Sequence, residues 1–136
     1  MAVVLDSAAI VAFLDGRDAL HDVADEAIRA LMAKHRFYVS AVTLTEVLTG
    51  AHLKHDDEAV VRSFFADFVS EVLSVEGAGA ERAARLRADH RLPTPDALIL
   101  AAAEGRLDVE IVLTGDAKMA AVRGLDCRVD LLRPPA

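Results

Sequence analysis

Four acids stand where carboxylates could act together: Asp6 after "AVVL", Glu46 in "SAVTLTEVLTG", Asp96 in "RLPTPDALILAAA" and Asp116 in "VLTGD". Singly, each has an ordinary explanation. Asp96 sits at the start of a helix, where the dipole favours negative charge. Asp6 and Asp116 can form turns after strands, and Glu46 can be a solvated helical residue. If all four converge, the balance changes. At about 5 Å each pair repels by about 0.8 kcal/mol in water and about 3 kcal/mol at an effective dielectric near 20. Such a cluster needs a positive centre. An all-oxygen donor set, without His or Cys, selects a hard cation such as Mg²⁺ or Mn²⁺ over zinc.

The elements that must position these acids alternate along the chain. "AVVL" (Ala2 to Leu5) is wholly apolar, as in a strand covered on both faces. "SAAIVAFLDG" reads as a short helix stopped at Gly16, and residues 18–34 place Val23, Ala27, Ile28 and Leu31 at helical spacing. "FYVS" (Phe37 to Ser40) is the second strand, and Ser40 can cap the helix carrying Glu46. "HDDEAVVRSFFADFV" supplies another helix with Asp56 or Asp57 near its start, and Glu71 to Val75 reads as the third strand. Gly77 and Gly79 mark a loop before an Arg-rich helix. Thr94 can cap the next helix, with Pro95 at its first position. "EIVLTGD" ends a fourth strand at Leu113 or Thr114, and the alternation in "CRVDLL" suits an edge strand.

Strands interleaved with helices predict an α/β three-layer sandwich, with a mainly parallel sheet of about five strands flanked by helices. Residues 1–136 read as a single domain. In open sheets of this kind, ligands sit beyond the carboxyl ends of the strands. Asp6 and Asp116 follow strands directly, Asp96 opens a helix, and Glu46 lies one to two turns past Ser40. Asp6, Asp96 and Asp116 are thus expected at one rim, within reach of the longer Glu46 side chain, though spacing alone does not establish that the four converge.

Composition narrows the function. The net charge of -7 excludes a general nucleic-acid coat. Setting aside four of the 22 acids leaves 18 against 15 basic residues, so a local anion-binding site is compatible with the total. The sequence has no apolar run of the ~18 residues a membrane span requires, and its start lacks the basic flank of a secretory peptide. The single Cys127 cannot form an internal disulfide, which agrees with a reducing cytoplasm.

Taken in order, "LDSAAIVAFLDG", "SAVTLTEVLTG", "RLPTPDALILAAA" and "VLTGDAKM" resemble the four motifs of PIN domains, in particular the VapC-type toxins of toxin–antitoxin modules. The resemblance runs from Val3 to about Leu132. It implies a Mg²⁺- or Mn²⁺-dependent endoribonuclease acting as the toxin of a type II toxin–antitoxin system. Asp6, Glu46, Asp96 and Asp116 match the acidic catalytic and metal-binding positions, for one ion or two. Ser7 and Thr114 match hydroxyl positions that orient carboxylates. The resemblance also implies cleavage to a 5′-phosphate and a 3′-hydroxyl. Two departures are visible: Met119 stands where an aromatic is frequent, and Thr114 and Gly115 stand where some members carry a further acid.

Such a site would use its cation to activate water for in-line attack on a phosphodiester. Substrate phosphates farther out need cations, for which Lys118, Arg82 and Arg85 are candidates. The bland reading of the two arginines is a solvated helix face. His52-x-x-His55 has metal-like spacing but lies at a helix end without a third ligand, and His21, His35 and His90 read as boundary residues. The expected partners are RNA, a cognate antitoxin and a second copy of the chain. Phe64, Phe65 and Phe68 are candidates for an antitoxin groove or homodimer surface, with core packing as the alternative. Two other classes compete. A non-catalytic PIN-like RNA- or protein-binding module does not need all four acids. A phosphoacceptor receiver would need an acidic pair after the first strand and a lysine after the last, and has neither here.

Overall fold

The computed structural model describes residues 1–134. Five strands, β1 (Ala2–Leu5), β2 (Arg36–Ser40), β3 (Val69–Leu73), β4 (Val109–Thr114) and β5 (Arg128–Leu131), form one sheet in the order β3-β2-β1-β4-β5. Every neighbouring pair is parallel. The helices are α1 (Ser7–Leu14), α2 (His21–Met32), α3 (Ala41–His52), α4 (Glu58–Phe68), α5 (Gly77–His90), α6 (Thr94–Glu104) and α7 (Ala117–Ala120).

The apolar run of β1 explains its central place. Val3 and Leu5 join one core with Ile10, Phe13, Ile28, Val47 and Phe64. Ala2 and Val4 join the other with Ala97, Leu100 and Ala103. The period-2 alternation of a strand thus feeds two cores at once, and only an apolar run satisfies both. The three-layer sandwich is as expected. Chain direction changes after β3, because the crossover through α5 and α6 returns past β2 and β1 to β4. The rim beyond Leu5 and Thr114 therefore lies at the reversal of strand order, where open α/β sheets leave a crevice.

Several local expectations shift. The third strand starts at Val69 rather than Glu71, because pairing of Phe37 with Val69 and of Ser40 with Leu73 fixes its register. Val75 consequently falls outside the strand, exposed. Gly77 and Gly79 open α5 rather than a loop, since first-turn N–H groups need no intrahelical partner. Pro93, not Thr94, occupies the cap position of α6, with no side-chain cap bond. Pro95 fits that first turn because its missing N–H is one the helix does not use. Ser40 and Asp57 do cap α3 and α4, accepting from Val42 N–H at 3.1 Å and Ala59 N–H at 2.9 Å.

The phenylalanines divide. Phe64 is 2% exposed and belongs to the core, stacked on Phe68 with ring centres 5.3 Å apart and tilted against Phe13 at 5.7 Å. Core packing accounts for it, so it is no surface anchor. Phe65 and Phe68 are partly buried against the same core. His52 ends α3 and pairs with Glu58 at 3.2 Å. Among the described residues, no helix is long and apolar enough to cross a membrane.

Candidate active site

Asp6 continues β1 by one residue. Its own N–H donates to the Leu113 carbonyl at 3.1 Å, and its extended backbone makes it the cap of α1. Oδ1 accepts the Ala9 N–H at 2.7 Å, as a capping carboxylate does. Oδ2 accepts the hydroxyl of Thr114 from the neighbouring strand end. The Gly115 backbone, next along the chain from Thr114, also favours the ionised form of this carboxylate. A Cβ on Gly115 would crowd the Ala8 Cβ at 3.1 Å, so a side chain there would need α1 to give slightly. At 3% exposure, Asp6 has its carboxyl raised above the usual range by burial, with Thr114, Ala9 and Gly115 working in the other direction.

Thr114 is the hinge pin of the rim. Its single proton goes to Asp6, and Oγ1 accepts the Asp116 N–H at 2.9 Å. Met119, 1% exposed, fills the space beneath it with Sδ 3.6 Å from Oγ1, so the thioether replaces an aromatic as packing. Asp116 in turn caps the short α7 through the Lys118 N–H at 2.8 Å.

Glu46 and Asp96 reach the rim from helices. The Ser7 hydroxyl donates to Glu46 Oε1 at 2.6 Å and ties the start of α1 to α3. Asp96 lies in the first turn of α6. Its carboxyl is pushed up to about 6, first by burial, then by the neighbouring Asp116 carboxylate, then by Glu46 and Asp6. The three other predicted acids all act on this one group. The structure therefore brings Asp6, Glu46, Asp96 and Asp116 to one rim, with Ser7 and Thr114 among them.

Among the described residues, no three His, Cys, Asp or Glu side chains are already gathered into a ready-made coordination shell. The acids are coupled through charge and hydroxyls rather than clasped around one point. Their chemistry nonetheless fits a hard divalent cation: every donor is oxygen, and the repulsion that raises Asp96 is of the kind such a cation cancels.

The predicted cations separate. Lys118 is at the rim, exposed, two residues past Asp116. Arg82 is elsewhere: its Nε donates to the Ala101 carbonyl at 3.3 Å, and its guanidinium occupies the space a Gly105 side chain would fill. Gly105 is nine residues past Asp96, roughly 13 Å along α6 at 1.5 Å per residue. Arg85 lines a groove with Glu81, Asp89, Glu104 and Arg123, on that same remote side. Neither arginine stands beside the acids, because the stripe that carries them packs α5 against the far end of α6.

One polar residue escaped the sequence reading. Thr43 is fully buried in the first turn of α3, and its Oγ1 is the buried side-chain polar atom without a hydrogen-bond partner among the described residues. The signal was present as a threonine on the apolar stripe Thr43, Val47, Ala51.

The family model that matches the chain is the PIN domain, over residues 3–125. No curated protein is significantly similar in sequence. Among solved structures, the chain resembles one in a toxin–antitoxin complex from Klebsiella pneumoniae, with 27% identity and a TM-score of 0.71, covering 88% of this chain and 91% of that one. It also resembles one in VapBC2 from Rickettsia felis bound to a DNA fragment from its promoter, with 13% identity and a TM-score of 0.76, over 96% and 98%. A third is Mycobacterium tuberculosis VapC20, a toxin that cleaves the sarcin–ricin loop, with 18% identity and a TM-score of 0.69, over 93% and 99%.

Proposed function

The chain belongs to the PIN domain family, and from that premise we propose that it is a divalent-cation-dependent endoribonuclease, the toxin of a type II toxin–antitoxin pair. The observation that carries this reading is the convergence of charge on Asp96 from Asp116, Glu46 and Asp6.

Bound Mg²⁺ or Mn²⁺ would supply Lewis-acid polarisation of a scissile phosphate and a more acidic water for in-line attack. Asp6, Glu46, Asp96 and Asp116 would hold it. Asp6 is held by the Thr114 hydroxyl and the Ala9 N–H, one on each oxygen, so its carboxylate is fixed in direction before any ligand arrives. Ser7 orients Glu46, and Thr114 orients Asp6 while anchoring the backbone of Asp116. Lys118 is the cation nearest the acids to meet a substrate phosphate, whereas Arg82 and Arg85 lie farther out, against the other end of α6.

The partner in this reading is an antitoxin, in keeping with the toxin–antitoxin pairs named among the similar structures. Its docking surface would include the apolar groove lined by Leu14, Val60 and Phe68, which carries little polar surface. The chain would act as one domain, pair with a second copy and work in the cytoplasm.

The test is cleavage of total RNA by the purified chain with Mg²⁺ or Mn²⁺, compared with Asp96→Asn. The amide keeps the shape and removes the charge, so cleavage should fall at least about a hundredfold, as expected when several kcal/mol of electrostatic stabilisation is lost. Equal cleavage by both proteins would refute the assignment.

A further inference from the structure

Thr43 carries a hydroxyl that is sealed from solvent and paired with nothing among the described residues. A threonine inside a helix ordinarily relieves this by donating to the carbonyl one turn earlier. Thr45 and Thr49, on the same helix, do so: they donate to the Ala41 and Thr45 carbonyls at 3.0 and 2.7 Å. Thr43 does not. A valine of the same shape would fill the position without an unsatisfied donor.

Of the rim acceptors, the second oxygen of Glu46 is the one carried on the same helix as Thr43. Both oxygens of Asp6 have donors, and Asp116 Oδ1 has the Lys118 N–H. Glu46 is held at Oε1 alone, by Ser7, and it is exposed. Thr43 and Glu46 are three apart on α3, which places their Cβ atoms about 5–6 Å from one another. Helical side chains lean toward the N-terminus, so Glu46 lies over the turn that carries Thr43. An unused donor on the buried stripe and an unused acceptor oxygen on the exposed side next to it are thus one turn apart on α3.

Resting on the reading of this rim as a divalent-cation centre, we infer that Thr43 is a positioning residue for Glu46. When Glu46 is drawn inward to serve the cation, Thr43 Oγ1 donates to Oε2 while Ser7 keeps Oε1, and two hydroxyls fix the carboxylate. The pairing would give the buried Thr43 hydroxyl an acceptor. It resembles the hydroxyl–carboxylate pairing that Thr114 already makes with Asp6.

The experiment compares the full-length wild type, Thr43→Val and Thr43→Ser by Mn²⁺ titration and by melting of the metal-free protein. Valine should weaken Mn²⁺ binding about tenfold, and serine should restore it to within about threefold, in line with the effect of partners that orient metal ligands. Without metal, Thr43→Val should melt at the same temperature as the wild type or higher. A lower melting temperature would place the hydroxyl in an ordinary structural bond and overturn the inference, as would unchanged Mn²⁺ affinity in the valine variant or failure of serine to rescue. If the wild type itself bound no Mn²⁺, the cation-centre reading would fall and this inference with it. If the wild type bound Mn²⁺ and valine had no effect, only the role of Thr43 would fall.

Discussion

The hydroxyl of Thr114 donates to Asp6 Oδ2 across 108 positions of sequence, and the same oxygen accepts the Asp116 N–H at 2.9 Å. One small side chain thus fixes two of the four acids. The sheet makes this possible by pairing Leu5 with Leu113, so the two strands end side by side. Replacing Thr114 by valine leaves a buried carboxylate and a backbone N–H without this partner. Stability should drop by about 1–3 kcal/mol in urea denaturation. RNA cleavage should fall about 10- to 100-fold. Thr114→Ser should recover most of both, because it restores the hydroxyl.

Asp96 gives a pH signature. Its folded-state carboxyl sits at about 6 against an ordinary value of 3.8, so the folded chain holds the proton more tightly than the unfolded chain. The stabilising contribution is therefore fully present below pH 3.8 and is lost as pH rises through about 6. Melting temperatures of the metal-free wild type and Asp96→Asn should be compared from pH 4 to 7. The asparagine variant stays neutral throughout, so wild type should lose ground to it as pH rises and the difference should level off above the titration. A pH-independent difference would contradict the assignment.

Arg82 supplies a contrast. Its guanidinium packs at Gly105 and donates to the Ala101 carbonyl, remote from the acids. Arg82→Gln should leave the RNA cleavage rate within about twofold while lowering stability by about 1 kcal/mol, the scale of one hydrogen bond. Lys118→Ala should do the reverse, raising KM for RNA with little change in melting temperature.

Phe64 is a core residue in contact with Phe13, Phe65 and Phe68. Phe64→Ala should cost about 3–5 kcal/mol in chemical denaturation. A loss confined to partner binding, with stability intact, would show that the aromatic cluster works as a surface.

The parts of this protein legible in its sequence are those where one constraint dominates. "AVVL" has one solution, a strand covered on both faces, and the acids that end β1 and β4 mark the rim directly. Asp96 was legible for its charge but not for its support: Pro93 takes the cap position, so the Thr94 hydroxyl is not what holds the helix start. The bounds of β3 depended on partners. Its middle residues are exposed, so burial says little, and pairing with β2 decides where it begins. Arg82 and Arg85 show the same limit, since charge alone does not tell which end of α6 an arginine will meet. Thr43 was hidden for another reason: a threonine in an apolar stripe looks like packing until its hydroxyl is found without a partner.

The central claim is that Asp6, Glu46, Asp96 and Asp116 hold a divalent ion together. Titration of Mn²⁺ into the metal-free protein, followed by electron paramagnetic resonance, tests it most directly in the wild type and in Asp6→Asn, Glu46→Gln, Asp96→Asn and Asp116→Asn. The wild type should bind saturably, and every one of the four folded variants should bind more weakly. Wild-type affinity in all four would contradict it.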